Sequence, residues 1–126
     1  ALLAAEAYDG VSLIIAYSPC IAHGIKGSLS HSGKQGELAT KCGYWPTYTY
    51  DPRLIEEGKN LLKITSPEPK WDSYDEFLMN ETRYASLKKL NPQHAAALYE
   101  ANKKDARRRY KELKRLASLD YSDELE

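Results

Sequence analysis

The sequence predicts an α/β fold: part of a parallel sheet followed by a helical C-terminal extension. Three observations carry this. Ser12-Leu13-Ile14-Ile15-Ala16 is an apolar run without polar alternation, the pattern of a strand buried on both faces of a parallel sheet. Trp45-Pro46-Thr47-Tyr48-Thr49-Tyr50 is rich in β-branched and aromatic residues, as strands are. From Trp71 onward the apolar residues recur at helical spacing instead.

In order along the chain, residues 1–8 read as the tail of a helix that Asp9-Gly10 turns into the first strand, at about 11–17. Ser18-Pro19 ends that strand, and the proline holds the following cysteine on a stiffened turn. Residues 21–36, with glycines and serines interleaved, read as a loop, and 37–42 as a short helix closed by Gly43 at its C′ position. Pro46 makes the 45–50 strand an edge strand, closed by Asp51-Pro52. Residues 53–70 form a connector with one strand candidate at Leu61-Leu62-Lys63-Ile64. Beyond it, Ser73 and Glu76 have capping-box spacing, and Trp71, Tyr74, Phe77 and Leu78 share a face. A second helical segment passes through Tyr84, Leu87 and Leu90. Asn91-Pro92 then starts a long helix with Leu98, Ala106, Tyr110, Leu113 and Ala117 on its apolar side. Ser122 to Glu126 read as a frayed acidic end. This divides the chain into an α/β part, residues 1–70, and a helical extension, residues 71–126.

Two features suggest a piece of something larger. The helical pattern starts at Ala1 without a methionine or a cap, and two convincing strands are too few to bury Leu13, Ile14 and Ile15 on both faces. Lysine plus arginine and aspartate plus glutamate both number 18, so no net field steers the chain toward nucleic acid or an anionic membrane. No apolar run approaches a membrane span, and the expected location is cytoplasmic. Residues 103–115 carry eight basic and two acidic residues, yet the basic positions lie opposite the apolar stripe of a solvated helix. Glu76, Glu81, Asp120, Asp123 and Glu124 are expected to neutralise them locally. Docking of a partner subunit or an acidic carrier on this helix fits better than nucleic acid.

Cys20 is the main candidate for chemistry. It can be a structural thiol, a nucleophile with His23 three residues on, a zinc ligand, or an iron–sulfur ligand. Zinc through Cys20, His23, His31 and Cys42 matches no established spacing. A [4Fe–4S] cluster needs four thiolates as a rule and this chain has two cysteines, so a cluster here must draw most ligands from elsewhere. Cys42, on one helical face with Leu38, is assigned to the core. The Gly27–Gly33-Lys34 loop is not a phosphate cradle: five residues separate the glycines, and Gln35 stands where a magnesium-binding hydroxyl belongs.

The run from Glu6 to Gly24, and within it Tyr17-Ser18-Pro19-Cys20-Ile21-Ala22-His23-Gly24, resembles the C-terminal part of the pyruvate:ferredoxin (flavodoxin) oxidoreductases. The resemblance continues through Cys42-Gly43-Tyr44-Trp45-Pro46, Asp51-Pro52-Arg53-Leu54, Glu57-Gly58-Lys59-Asn60, Glu68-Pro69-Lys70-Trp71-Asp72 and Arg83-Tyr84-Ala85-Ser86-Leu87. It covers residues 6–90 and is looser over the basic tail. It implies that residues 1–70 end a thiamine-diphosphate-binding domain with a parallel sheet, and that the whole enzyme oxidises pyruvate to acetyl-CoA. It further implies electron transfer through [4Fe–4S] clusters to ferredoxin or flavodoxin, in a homodimer. Cys20 stands where the family places one ligand of the cluster nearest thiamine, with an apolar shell from Ile21 and the strand. The magnesium–diphosphate motif, the other cluster ligands and the catalytic groups fall outside this chain, so no catalytic residue is assigned and the isolated chain is expected to be inactive. The alternative is a non-catalytic interaction module whose basic helical tail docks a partner.

Overall fold

The computed structural model describes residues 1–122, and four of the five residues of the acidic end, 123–126, lie outside them. Among the described residues there are five α-helices and a two-stranded sheet: α1 Leu2–Glu6, α2 Ser32–Lys41, β1 Tyr48–Tyr50, β2 Leu62–Ile64, α3 Tyr74–Asn80, α4 Thr82–Leu90 and α5 Pro92–Leu116.

Helix α2 begins inside the expected loop, five residues earlier than the sequence pattern indicates. An Asx-like hydroxyl contact, Ser30 N donating to Ser28 Oγ at 3.3 Å, opens the short turn that leads into it. Glu37 and Lys41 pair across one turn at 2.7 Å. The helix stops where expected. Gly43 adopts φ +82, and a Cβ there would lie 2.8 Å from the Pro69 side chain and from the Trp71 ring, so both conformation and space require glycine.

The predicted parallel sheet is not formed among the described residues. Residues 11–17 carry no regular secondary structure and no ladder partner, and Val11 is 98% and Leu13 83% exposed. A strand exists only by pairing its N–H and C=O groups with a neighbour, and among the described residues no other segment pairs with this one. The sheet that does form is antiparallel, with Tyr48 opposite Ile64, Thr49 opposite Lys63 and Tyr50 opposite Leu62. Both of its strands match sequence candidates. A 3-10 turn over Pro52–Glu57 joins them, capped by Asp51 and closed by Gly58 at φ 63.

The core lies between α2, α3 and α5. Ala39, Cys42, Tyr74, Phe77, Leu78 and Ala106 are buried together, ringed by Tyr17, Tyr44, Trp45 and Trp71. Phe77 and Tyr44 stack with centroids 4.3 Å apart. Polar tips of the ring residues find partners: Tyr74 Oη donates to Asn102 Oδ1 at 2.6 Å, and Tyr110 Oη to Glu68 Oε2 at 2.8 Å.

Three local expectations are corrected. Ser73 does not cap α3; its hydroxyl turns back to donate to the Lys70 carbonyl at 2.8 Å because a 3-10 turn over Trp71–Ser73 already leads into the helix. Leu98 lies on the exposed side of α5, 51% accessible, while Ala95, Ala106 and Tyr110 face inward. Glu81 is not a surface neutraliser of the basic helix but is fully buried. The cations of α5 pair instead with Asp75 (Lys103, 2.8 Å), Glu68 (Lys114, 3.3 Å) and Asp105 (Arg108, 3.1 Å).

Candidate functional site

The site is built on the bend after residue 17. Tyr17 is the point at which the otherwise exposed 11–16 segment is tied to the core, with its ring 5.8 Å from Tyr44, 5.7 Å from Trp45 and 6.4 Å from Phe77. Its hydroxyl donates to Glu81 Oε1 at 2.7 Å. Burial, and then this bond to a carboxylate, push the phenol far above its ordinary value, so it stays a donor. Pro19 is buried against the body of the chain, and Cys20 follows half-exposed. Gly24 N–H donates to the Cys20 carbonyl at 2.9 Å, folding residues 20–24 into one helical turn.

That turn brings His23 onto Cys20. His23 Nδ1 lies 3.1 Å from Cys20 Sγ, placed to donate to the thiolate. The histidine contact, reinforced by the backbone N–H groups of His23 and Ala22, lowers the thiol from its ordinary 9.0 to about 7. A thiolate at neutral pH is the form that binds a metal or attacks an electrophile. The other cysteine is its opposite: Cys42 is buried and its thiol is pushed up to about 11 by that burial, with Sγ donating to the Ala39 carbonyl at 3.6 Å. The sequence assignments of Cys20 to an accessible turn and Cys42 to the core agree with these positions. The apolar shell expected around the thiol from Ile21 and the strand is not formed within this chain, since Ile21 is itself exposed.

His31 does not join Cys20; it sits beside Gly27, in a cleft with Lys26, Lys34 and Gln35. Among the described residues no group of three or more histidine, cysteine or acidic side chains is placed to hold a metal ion. The donors present fit one ligand of a [4Fe–4S] cluster: a single accessible thiol, already acidified and held on a short turn. They do not fit a whole cluster, and among the described residues no side-chain group is placed to hold the magnesium of thiamine diphosphate. Among the described residues no helix is long and apolar enough to cross a membrane.

Sequence reasoning missed the polar pair that supports this turn. Gln35 is buried, with its Nε2 donating both to the Phe77 carbonyl and to Glu81 Oε1, each at 3.1 Å. A partial signal was present: 74, 77, 78 and 81 have the spacing of one helical face with Glu81 its polar member, although in the structure α3 ends at Asn80 and Glu81 is extended.

Curated proteins named as pyruvate oxidoreductases and a pyruvate dehydrogenase match this chain over most of its length. The chain is 46% identical over 117 residues to a pyruvate:ferredoxin oxidoreductase of Moorella thermoacetica, covering 93% of this chain and 10% of that protein. It is 46% identical over 118 residues to a pyruvate-flavodoxin oxidoreductase of Enterobacter agglomerans, covering 94% of this chain. A mitochondrial pyruvate dehydrogenase [NADP(+)] of Euglena gracilis is 44% identical over 98 residues. The chain belongs to the pyruvate:ferredoxin (flavodoxin) oxidoreductase family, and it spans about a tenth of the length of the curated relatives it matches. No protein-family model matches it.

Proposed function

We propose that this chain is the C-terminal part of a cytoplasmic, homodimeric enzyme that oxidatively decarboxylates pyruvate to acetyl-CoA and passes the electrons to ferredoxin or flavodoxin. In this reading residues 1–70 end the thiamine-diphosphate-binding domain, residues 71–126 brace it, and Cys20 is one ligand of the [4Fe–4S] cluster nearest thiamine. The observation that carries it is the acidified, accessible Cys20 with no other metal donor set among the described residues, in a chain of this family.

The exposed 11–16 segment supports the same reading. Val11, Leu13, Ile14 and Ile15 are all exposed, and burying each such side chain is worth about 1.5–3 kcal/mol. Insertion between strands of the larger domain recovers that stabilisation and pairs the backbone as a parallel strand. The same insertion covers Ile21 and completes the apolar shell that limits water near the thiolate.

The cluster, when bound, relays single electrons away from the decarboxylated substrate. The residues here do the following. Cys20 presents its thiolate, His23 stabilises that thiolate before metal is acquired, and Pro19 with the 20–24 turn holds the sulphur in place. No complete catalytic centre is assigned to the chain itself.

In the full-length enzyme, Cys20→Ser removes the electron paramagnetic resonance (EPR) signal of the thiamine-proximal cluster, lowers the iron content and abolishes carrier reduction, while thiamine diphosphate still binds. Cys42→Ser leaves every cluster signal intact. Unchanged iron and carrier reduction in Cys20→Ser would overturn the reading, and loss of a cluster in Cys42→Ser would reverse the assignment of the two thiols.

A further inference from the structure

The turn that carries Cys20 is fastened at both of its stems to one residue. Ahead of it, Tyr17 Oη donates to Glu81 Oε1 at 2.7 Å. Behind it, Ile25 and Glu81 form an antiparallel bridge, flanked by Lys26 N–H donating to the Asn80 carbonyl at 2.8 Å and Thr82 N–H to the Gly24 carbonyl at 3.2 Å. Glu81 thus spans residues 17 and 25 with its side chain and its backbone.

Stability does not account for a carboxyl here. Glu81 is 0% exposed, Gln35 Nε2 is the second donor to Oε1, and Oε2 has no hydrogen-bond partner among the described residues. A buried oxygen without a donor is a cost, while Oε1 is what keeps Tyr17 Oη and one N–H of Gln35 from being left without an acceptor. Glu81 follows α3 at an extended junction, after a helix whose Tyr74, Phe77 and Leu78 are buried. What an apolar side chain cannot do is hold the Tyr17 hydroxyl and thereby fix the distance between the stems.

We propose that Glu81 is a positioning residue for Cys20. It sets the span of the 17–25 loop through Tyr17 on one side and Ile25 on the other, and so sets where the thiolate sits against the cluster. The proposal rests on the reading of Cys20 as a cluster ligand. A displaced thiolate changes the iron environment that the EPR spectrum and the reduction potential report, even when all four ligands remain.

The experiment uses the full-length oxidoreductase with Tyr17→Phe, Glu81→Leu, Glu81→Gln and Cys20→Ser, and reads the EPR spectrum and midpoint potential of the thiamine-proximal cluster together with iron content. Tyr17→Phe keeps the ring in its aromatic setting and deletes the hydroxyl alone. It is expected to shift the g-values and potential of that one cluster at full iron content, with the other clusters unchanged. Glu81→Leu is expected to do the same, and Glu81→Gln, whose amide oxygen accepts from both Tyr17 and Gln35, to return the wild-type spectrum. A wild-type spectrum and potential in Tyr17→Phe overturns the proposal, even if Glu81→Leu fails to fold. An altered spectrum in Glu81→Gln equal to that of Glu81→Leu also overturns it, because the acceptor geometry would then not be what matters. If Cys20→Ser retains the cluster, the ligand reading itself is wrong; if it loses the cluster while Tyr17→Phe is silent, only the positioning role is wrong.

Discussion

His23 makes Cys20 a thiolate at neutral pH, and removing it has a consequence with a definite shape. The imidazole nitrogen lies 3.1 Å from the sulphur, and the thiol is held at about 7 instead of 9.0. At pH 7 a thiol with that value is about half ionised, against about one part in a hundred for an ordinary one, a difference of roughly 50-fold in thiolate. The more basic thiolate is the better nucleophile, however. With a Brønsted coefficient of about 0.4–0.5, two pK units return roughly 6–10-fold per thiolate. Because the backbone N–H groups of residues 22 and 23 keep part of the shift, His23→Ala is expected to slow alkylation of Cys20 by iodoacetamide by up to about 5–8-fold at pH 7 and to accelerate it by up to about 6–10-fold at pH 10, the two rate profiles crossing between about pH 7 and 8. The assay is site-resolved mass spectrometry of the metal-free chain, with Cys42 as the internal protected thiol. A Cys20 profile whose midpoint is the same with and without His23 refutes the reasoning.

Three further expectations concern the frame that holds the turn. Phe77→Ala empties the centre of the aromatic cluster beneath Tyr17 and Tyr44, and should lower unfolding stability by about 3–5 kcal/mol; a loss under about 1 kcal/mol in urea titration would mean the cluster collapses around the gap. Gly43→Ala forces a left-handed residue to carry a Cβ 2.8 Å from Pro69, costing about 1–2 kcal/mol from backbone conformation before any steric shift, and an unchanged urea midpoint would show that α2 can end another way. Burial raises the Cys42 thiol from 9.0 to about 11, so the neutral form is favoured by folding; that contribution is complete below pH 9 and is lost as pH rises through about 11. Cys42→Ala should flatten the stability profile between pH 9 and 11, and an equally steep fall in the variant would assign the alkaline loss elsewhere.

What the sequence shows and hides follows from the range of the interactions. Local signals were legible: Asn91 before Pro92 caps α5, Gly43 ends α2, and the apolar face of residues 74, 77 and 78 is the core face. Each is decided within about one helical turn of chain. The 11–17 run shows the opposite case. Its apolar composition reads as that of a buried strand, but burial and pairing are relations to other segments, and among the described residues none pairs with it. The same limit applies to Cys20, whose turn chemistry is local and readable, while the cluster role proposed for it needs donors beyond the described residues.

The long helix shows why composition misleads when packing is ignored. Residues 103–115 look like a cationic docking surface, yet α5 supplies Ala106 and Tyr110 to the interior, Asn102 to Tyr74, and Arg107 to the face of Trp71 at 5.4 Å. Trp71 in turn closes over Gly43 and packs on Tyr74 at 6.2 Å. Tyr74 and Phe77 lie on the same face of α3, which leads directly to Glu81 and so to both stems of the Cys20 turn. Deleting residues 91–126 therefore cannot distinguish docking from bracing, because it removes a wall of the core. Charge reversal at Lys104 and Lys111, both exposed, changes the outward face alone and leaves the packing that reaches Cys20 in place.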